Sequence, residues 1–461
     1  MIWIRESSSW TNWRAVLIIG LVCIIAVLVG WLTAALQFGA RELVIFILAA
    51  VAIGLVVVPT ERTIGFGFAL WILTFGFGWR TIHLTSFLSI HPAEVLAWLL
   101  FGLVMLYGII RRVRLDFSIP RWIPVLMIFS GIGVLTAVAF ARSAELFLRE
   151  AKGFWVIIPI YYIVQWIITD RVKWERAMWL GIGVAVYVSL LGWMDFFTPA
   201  LSQALTGVSN AKILIVSPTQ GDFERAGFAF YGSPAAGLMI FTFFGLSVYN
   251  LLDSTQGQRR YLILNGAVVA IQLVAMYLSG YRGVYYATLI LVMAYALMQR
   301  KIWALAVGAI AVLPLLPSAF FQRFTSLWDW RYADSSQFSR MQRASDALDL
   351  VYQYPLFGVG WGGSGYVHSD FIQIAANLGL PAGIVFLLWL LTLIWKMFQL
   401  RKNSDWTGRY AVAVFATLCG LMIILAGEGL LAQVHLAIPI WFMLAMAYKL
   451  THLAAQGQAT A

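Results

Sequence analysis

A glycine-rich stretch that leads to a lone histidine is the part of this sequence best suited to chemistry. Residues 355–363 read Pro-Leu-Phe-Gly-Val-Gly-Trp-Gly-Gly, and His368, Ser369 and Asp370 follow just before a long apolar run. A neutral histidine, with a pKa of about 6.5, can take a proton from an attacking hydroxyl. In a chain that is mostly apolar, polar side chains at the end of a membrane span are the strongest candidates for a functional site.

Three arginines occupy comparable positions. Arg225 precedes an apolar run, Arg282 lies in a short turn between two runs, and Arg340 begins an amphipathic segment. Arginine keeps its charge and binds phosphate through two parallel hydrogen bonds, so a pair of arginines can neutralise a diphosphate leaving group. With His368 they predict displacement at a phosphate-activated carbon. The alternative for Arg225, and for Arg142, is a side chain that only snorkels or pairs with an acid, and His368 could simply cap a helix.

The composition indicates a membrane protein with many spans. The chain has 461 residues, of which 62% are hydrophobic and 11% charged, whereas soluble domains have about 25% charged residues. The net charge of +11 does not point to nucleic acid, because the basic residues form short clusters between apolar runs, as the positive-inside rule requires. Cys23 and Cys419 both lie in apolar runs, so neither a disulfide nor thiol chemistry is expected.

The apolar runs predict an all-α protein with about 12–14 transmembrane helices. We expect one integral membrane domain over 1–461, with a retained first span at the N-terminus. The longest outer segment, 318–370, contains an amphipathic pattern that Pro355 ends, which predicts helices lying on the membrane face. The runs are 15–36, 42–59, 64–78, 94–110, 122–140, 153–169, 177–198, 228–251, 261–279, 283–299, 302–317, 371–395, 410–427 and 434–448.

The positive-inside rule also predicts the orientation. Alternating spans with both termini in the cytoplasm place every dense basic cluster, such as the one at 111–114, on the cytoplasmic side. Arg142, Arg225, Arg282 and Arg340 then face outward. Because Lys and Arg normally favour cytoplasmic loops, the outward position of these four arginines suggests a functional role.

Metal and nucleotide chemistry are not expected. The sequence has no His-Glu-x-x-His, no cysteine pair and no glycine-rich phosphate loop with Lys-Ser or Lys-Thr, and neither a metal nor another cofactor is predicted. Since no ATP is available outside the cell membrane, the energy for a transfer there must arrive in the donor. The acidic residues are spread out along the chain and form no outward Asp-x-Asp cluster; among them are Glu94, Glu145, Glu150, Asp222, Glu224, Asp370 and Glu428.

Four segments over about 225–390 form a recognisable series. They are Arg225-Ala-Gly-Phe with Ser233-Pro234, Leu278-Ser-Gly-Tyr-Arg-Gly283, Arg340-Met-Gln-Arg continuing to Pro355-Leu-Phe-Gly-Val-Gly360, and His368-Ser-Asp-Phe-Ile-Gln continuing to Leu378-Gly-Leu-Pro-Ala-Gly383. In order and spacing these segments resemble the O-antigen ligase and O-antigen polymerase superfamily of bacterial surface-glycan enzymes. They depart from the family pattern at Ser369 and Ala235, where members often have Asn, and at Asn377, where they often have Glu.

The resemblance implies a metal-independent, inverting glycosyltransferase in the bacterial inner membrane. It would move glycan from undecaprenyl diphosphate to an acceptor hydroxyl at the periplasmic face. Arg225 and Arg282 would then bind the donor diphosphate, His368 would activate or orient the acceptor hydroxyl, and Arg340 would support an acidic donor or the surface helix. The further candidates for substrate binding or support are Tyr281, Tyr366, Arg142 and Asp370. Of these, Asp370 would set the tautomer of His368.

The sequence does not identify the acceptor of the glycan. A ligase would use lipid A-core sugar, a polymerase another repeat-unit glycan, and an oligosaccharyltransferase a protein hydroxyl. We favour slightly a polymerase, which could work with a chain-length regulator among the membrane lipids. The main alternative is a lipid-linked oligosaccharide flippase, which predicts charges at mid-membrane and internal repeats. A non-catalytic scaffold would leave Arg225, Arg282 and His368 without a role.

Overall fold

The structure is a computed structural model. The predicted runs at 15–36, 42–59 and 302–317, and the first part of the predicted outer segment, lie outside the residues that it describes. The described residues are 61–77, 82–83, 89–111, 119–206, 213–215, 223–225, 233–254, 259–299 and 335–459.

The described part of the chain is helical, with two short antiparallel ladders. The helices are α1 (Glu61–Leu73), α2 (Pro92–Arg111), α3 (Trp122–Phe140), α4 (Ala144–Trp155), α5 (Ile157–Ile167), α6 (Arg171–Phe197), α7 (Pro199–Thr206), α8 (Ser233–Ser254), α9 (Arg259–Leu278), α10 (Arg282–Met298), α11 (Ser335–Gln353), α12 (Asp370–Leu378), α13 (Leu380–Leu400), α14 (Trp406–Gly427) and α15 (Val434–Ala459), with a 3-10 turn at Thr74–Phe77. The strands are β1 (Ile82–His83) paired with β2 (Ser89–Ile90), and β3 (Ile213–Ile215) paired with β4 (Phe223–Arg225).

Eight of the described helices are long and apolar enough to cross a membrane, and α1 and α10 are shorter apolar helices. Within the hydrocarbon a helix satisfies its own backbone polar groups, which is why long apolar runs adopt this form. The expectation of an all-α membrane protein with many spans is therefore confirmed. The eight are α2, α3, α6, α8, α9, α13, α14 and α15.

Two predicted spans are each divided into two helices. The run at 153–169 breaks at Val156, between α4 and α5. Pro159 lies in the first turn of α5, and without a backbone N–H it cannot continue the hydrogen bonding of α4. The run at 371–395 breaks at Gly379, which has a φ of +93°. A Cβ there would lie 2.2 Å from the carbonyl oxygen of Leu356, so a continuous helix is sterically blocked.

The helix α15 occupies the centre of the bundle. It packs against α2, α4, α5, α8, α13 and α14. Its Trp441 and Phe442 are fully buried, and the indole N–H of Trp441 donates to the carbonyl of Gly153 over 2.9 Å. By contrast, α3 exposes apolar side chains such as Ile128 and Val138. Apolar outer faces of this kind are suited to contact with lipid tails.

The two ends of the bundle differ in charge. The ends of α9 and α14 and the starts of α10, α13 and α15 meet at one end, which we call the site end. The opposite end, called here the basic end, holds the 401–405 turn between α13 and α14 and the start of α6. Its cations include Arg171, Lys173, Arg401, Lys402 and Arg409.

The amphipathic segment before Pro355 forms α11, and the glycine-rich loop after it lies against α3. The loop glycines at 358, 360, 362 and 365 all have φ between 64° and 78°, a region that favours glycine. The N–H of Gly360 donates to the carbonyl of Asn377 over 2.8 Å. A Cβ on Gly360 would lie 2.2 Å from the backbone nitrogen of Ala137 on α3. This loop can therefore reach its position only without a side chain.

Replacing Gly360 with alanine is expected to destabilise the protein by about 1–3 kcal/mol, through a forbidden φ and a clash with α3. The measurement is the thermal unfolding midpoint of the purified protein in detergent. Gly131→Ala is the matched control, because Gly131 is also on α3 and a Cβ there meets nothing within 4 Å. Equal midpoints for the two variants would contradict the close approach.

Candidate active site

The carboxylate of Glu428 joins two of the predicted site residues. His368 approaches Oε2 with Nδ1 at 3.0 Å, and Arg340 donates from Nη1 to Oε1 over 2.5 Å. The Glu428 side chain is 9% exposed, that of His368 16% and that of Arg340 41%. A nearly buried acid thus holds a histidine and an arginine at the site end, between α14 and α15.

This contact fixes the tautomer of a neutral His368. An ionised carboxylate can only accept hydrogen bonds, so Nδ1 carries the hydrogen and Nε2 keeps its lone pair. The ring is also held by Tyr366, whose ring meets it edge-on with centroids 4.7 Å apart. Nε2 of His368 is therefore a prepared proton acceptor.

Asp370 holds the loop that carries Glu428. Its two oxygens accept from the backbone N–H groups of Leu430 and Leu431 over 3.0 and 2.9 Å. Burial raises the pKa of Asp370 to about 8, partly opposed by these two hydrogen bonds, and the charge of Glu428 raises it further. The expectation that Asp370 sets the tautomer of His368 is corrected here, because Glu428 is the carboxylate on the histidine.

The backbones around this loop approach closely. A Cβ on Gly429 would lie 2.2 Å from the carbonyl oxygen of Val367. Ser369 begins α12 by accepting a hydrogen bond from the N–H of Ile372. Because Val367 and Ser369 flank His368 directly, the same contacts that place the loop also place the histidine.

Tyr281 lies in the tight turn between α9 and α10. Gly280 has a φ of +61°, and the absence of a Cβ on Gly283 leaves room for the Tyr281 ring, whose hydroxyl would lie 2.7 Å from that Cβ. The hydroxyl is buried, and the described residues give it no hydrogen-bond partner. Burial raises the pKa of Tyr281 well above its usual range, and the charge of Glu428 adds to this shift while Arg340 opposes it. Tyr281 thus belongs to the Glu428 cluster.

The remaining predicted residues lie elsewhere or are only partly described. Arg282 is the first residue of α10, half-buried and adjacent to Tyr281. Arg142 donates from Nε to the carbonyl of Gly363 over 3.2 Å, so it supports the glycine-rich loop. Arg225 ends β4 opposite Ile213, and its side chain lies outside the described part of the structure. The cluster around Glu428 therefore brings together Tyr281, Arg340, Tyr366, His368 and Asp370.

A second buried acid, Glu150 on α4, anchors the glycine-rich loop. Its Oε2 accepts from the N–H of Gly362 over 2.8 Å and from Nδ2 of Asn377 over 2.7 Å. The amide oxygen of Asn377 in turn accepts from the N–H of Ser364. Burial raises the pKa of Glu150 to about 7, against the lowering effect of both hydrogen bonds. Asn377 therefore meets a carboxylate from another helix at the position where the resemblance led us to expect a carboxylate.

Glu150→Gln is expected to change how stability depends on pH. Because the folded pKa of about 7 is above the ordinary value, the folded state binds the extra proton, and stability falls as pH rises from about 4.5 to 7. The full loss is about 3 kcal/mol. A neutral amide oxygen can still accept both hydrogen bonds, so the variant should lose less stability and be the more stable protein at pH 8.

The measurement is the thermal unfolding midpoint in detergent between pH 5 and 8. Glu145→Gln on the same helix is the control, because Glu145 is exposed. If the unfolding midpoint of Glu150→Gln falls with rising pH as steeply as that of the wild type, another group causes the pH dependence.

Two acids of the site, Glu150 and Glu428, were not singled out by sequence reasoning. Each stood among scattered acids, and the only local signal for Glu428 was its position at the end of an apolar run, between Gly427 and Gly429. Among the residues that the structure describes, no three His, Cys, Asp or Glu side chains are grouped closely enough to hold a metal ion.

Part of the chain matches a known protein family. Residues 267–387 match the family model described as O-antigen ligase. We call residues 267–387 the O-antigen ligase segment, after the family model that they match. The match confirms the resemblance to the O-antigen ligase and polymerase superfamily and supports an enzyme of that general type. No curated protein is significantly similar to the chain.

The O-antigen ligase segment contains most of the cluster but not all of it. Arg225, Arg142, Glu150 and Glu428 lie outside its limits. The carboxylate that orients His368 therefore comes from a part of the chain beyond the matched segment. The cluster members inside it are Tyr281, Arg340, Tyr366, His368 and Asp370.

Proposed function

We propose that the protein is a membrane glycosyltransferase that moves glycan from undecaprenyl diphosphate to an acceptor hydroxyl. The observation that carries this proposal is His368, held by Glu428 in a base-competent tautomer inside an O-antigen ligase segment. A fixed tautomer of this kind is what a general base for a hydroxyl nucleophile requires.

The transfer step balances with these residues alone. The acceptor O–H gives its proton to Nε2 of His368 while the oxygen forms a bond to the anomeric carbon. The bond from that carbon to the diphosphate oxygen breaks, and undecaprenyl diphosphate leaves with the electron pair. Attack from the face opposite the leaving group inverts the anomeric centre. No nucleotide or metal is needed, because the donor already carries an activated leaving group.

Arg282 is the residue that we assign to the leaving diphosphate. It begins α10, and the residue before that helix, Tyr281, provides no side-chain cap for the first N–H groups. A helix N-terminus and an arginine at that position both attract phosphate. The hydroxyl of Tyr281, buried next to Glu428 and without a partner among the described residues, can donate to the donor or acceptor. Arg225 is a further phosphate ligand in this proposal.

Arg340 has a positioning role. By donating to Oε1 of Glu428 it keeps Oε2 directed at His368, and it connects the amphipathic helix α11 to the site. Since Arg340 is partly exposed, its guanidinium can also contact an acidic group of a donor that arrives from the membrane face. This arrangement makes α11 a platform over the site.

The charge asymmetry of the bundle supports a site at the periplasmic face. The basic end carries the Lys and Arg clusters, which the positive-inside rule assigns to the cytoplasm. The Glu428 cluster is at the opposite end, so in the inner membrane of a bacterium it would face the periplasm, with both termini in the cytoplasm. Membrane lipids and a chain-length regulator are partners in this proposal.

The identity of the acceptor decides which kind of glycosyltransferase this protein would be. Several departures from the family pattern, such as Asn377 for Glu, favour a polymerase of O-antigen or exopolysaccharide over a ligase to lipid A-core. A protein hydroxyl is the third possible acceptor. The product of the reaction distinguishes them directly.

The test uses purified protein in detergent, an undecaprenyl-diphosphate glycan from the native host, a chelator and no nucleotide. Release of undecaprenyl diphosphate together with longer glycan is expected, whereas glycosylated lipid A-core would indicate a ligase. If the donor stays intact with every acceptor while the protein moves it across liposomes, the protein is a flippase and the proposal fails.

A further inference from the structure

A groove at the basic end is separate from the Glu428 cluster. It lies between the start of α3, the second half of α13 and α15, and has a volume of about 570 Å³, within the usual range of about 300–1,000 Å³ for small-molecule sites. Apolar side chains on the outer faces of the same helices, Ile128 on α3 and Leu391 on α13, are exposed. The groove therefore opens sideways, toward the surface that lipid covers.

The lining of the groove combines positive charge with aromatic rings. Arg121 and Lys396 are its two charged lining residues, and both are exposed at its rim. Lys396 Nζ lies 5.7 Å from the ring centre of Tyr448, and Trp122 stands next to Arg121. Aromatic residues beside Lys and Arg are typical of the region where lipid headgroups meet the hydrocarbon.

The inner wall provides a second, independent observation. Trp389 lines the groove and is 2% exposed. Its indole N–H is buried and has no acceptor among the described residues. A buried donor without a partner is costly, and the carbonyl or phosphate oxygen of a bound molecule would satisfy it.

We propose that this groove binds one anionic glycerophospholipid of the membrane, with its phosphate between Arg121 and Lys396. One acyl chain would lie along α3 and α13, beside Val125 and Leu393. The two cations match an anionic headgroup, and among the lining residues that the structure describes there is no carboxylate. Because the groove is at the end opposite the Glu428 cluster, the lipid is a bound stabilising ligand and not the glycan donor. This inference does not depend on the proposed function.

The test measures lipid retention by native mass spectrometry of the full-length protein in a delipidating detergent. The probes are phosphatidylglycerol, phosphatidylcholine and undecaprenyl phosphate. Wild-type protein should retain phosphatidylglycerol better than phosphatidylcholine. Arg121→Gln and Lys396→Gln should each weaken phosphatidylglycerol binding about fivefold, as expected for one charge near a lipid headgroup. Lys402→Gln removes an exposed cation at the same end but outside the groove and should have little effect.

A second variant tests the groove without changing charge. Val125→Trp places a large side chain at a partly exposed lining position and should also reduce phosphatidylglycerol retention while both cations remain. Equal retention in Lys396→Gln and Lys402→Gln, or equal retention of phosphatidylglycerol and phosphatidylcholine, would overturn the proposal. Tighter binding of undecaprenyl phosphate than of phosphatidylglycerol would also overturn it, by assigning the groove to a polyprenyl lipid.

Discussion

Replacing His368 with alanine is expected to reduce the turnover of glycan transfer by about 10²–10⁴-fold, the usual contribution of a general base. The reason is that Nε2 of His368 is the prepared proton acceptor of the site, with Nδ1 held by Glu428 at 3.0 Å. The measurement is the rate of release of undecaprenyl diphosphate at saturating donor. Binding of the donor should change much less, because the phosphate ligands that we propose, Arg225 and Arg282, are other residues.

His452→Ala is the matched control for this experiment. His452 is also partly buried, but it lies near the far end of α15, beside Tyr448. Its variant should retain wild-type turnover and the same detergent stability. Turnover within a few-fold of wild type in the His368 variant, with normal insertion in the membrane, would exclude His368 as the base.

Glu428→Gln is expected to reduce turnover by a similar factor, about 10²–10⁴-fold, although the carboxylate does not touch the substrate. An amide can present its NH₂ to Nδ1 while its oxygen keeps the hydrogen bond from Arg340. His368 would then carry its hydrogen on Nε2, the atom that has to accept a proton. The shape of the side chain is nearly unchanged, so the expected loss arises from the tautomer.

A double variant separates this positioning role from a structural one. If Glu428 acts through His368, the variant with both His368→Ala and Glu428→Gln should be no slower than His368→Ala alone. Glu428→Asp, which keeps the charge, should recover part of the turnover. Losses that multiply in the double variant would mean that Glu428 acts independently of the histidine.

Much of the helical fold could be predicted from hydrophobic runs, because each run has to satisfy its backbone within a membrane. The runs at 122–140 and 261–279 appear as α3 and α9 with nearly the predicted bounds. The breaks in the runs at 153–169 and 371–395 were missed. They depend on Pro159 and Gly379, whose effects come from a lost hydrogen bond and a close backbone approach that hydrophobicity alone does not report.

The candidate site was predictable only in part. His368 stood out as a polar group beside a long apolar run, and Arg340 stood out as the start of an amphipathic segment. Their shared partner Glu428 is 60 residues from His368 along the chain, and nothing in the local pattern of either segment links the two. The same holds for Glu150, which meets Asn377 across 227 positions. Such pairs arise from the order in which the helices pack, which spacing along the sequence does not contain.

The position of Glu428 also limits how this protein can be combined with its relatives. The matched segment ends at residue 387, before α14, the helix that leads to Glu428. A chimera that grafts residues 267–387 into another scaffold would carry the histidine and the arginine but leave their shared carboxylate behind. To include this carboxylate and its support, the graft would have to extend at least through Leu431, because Asp370 holds the backbone at Leu430 and Leu431. Exchange of parts between such enzymes is therefore constrained by a loop outside the segment that identifies them.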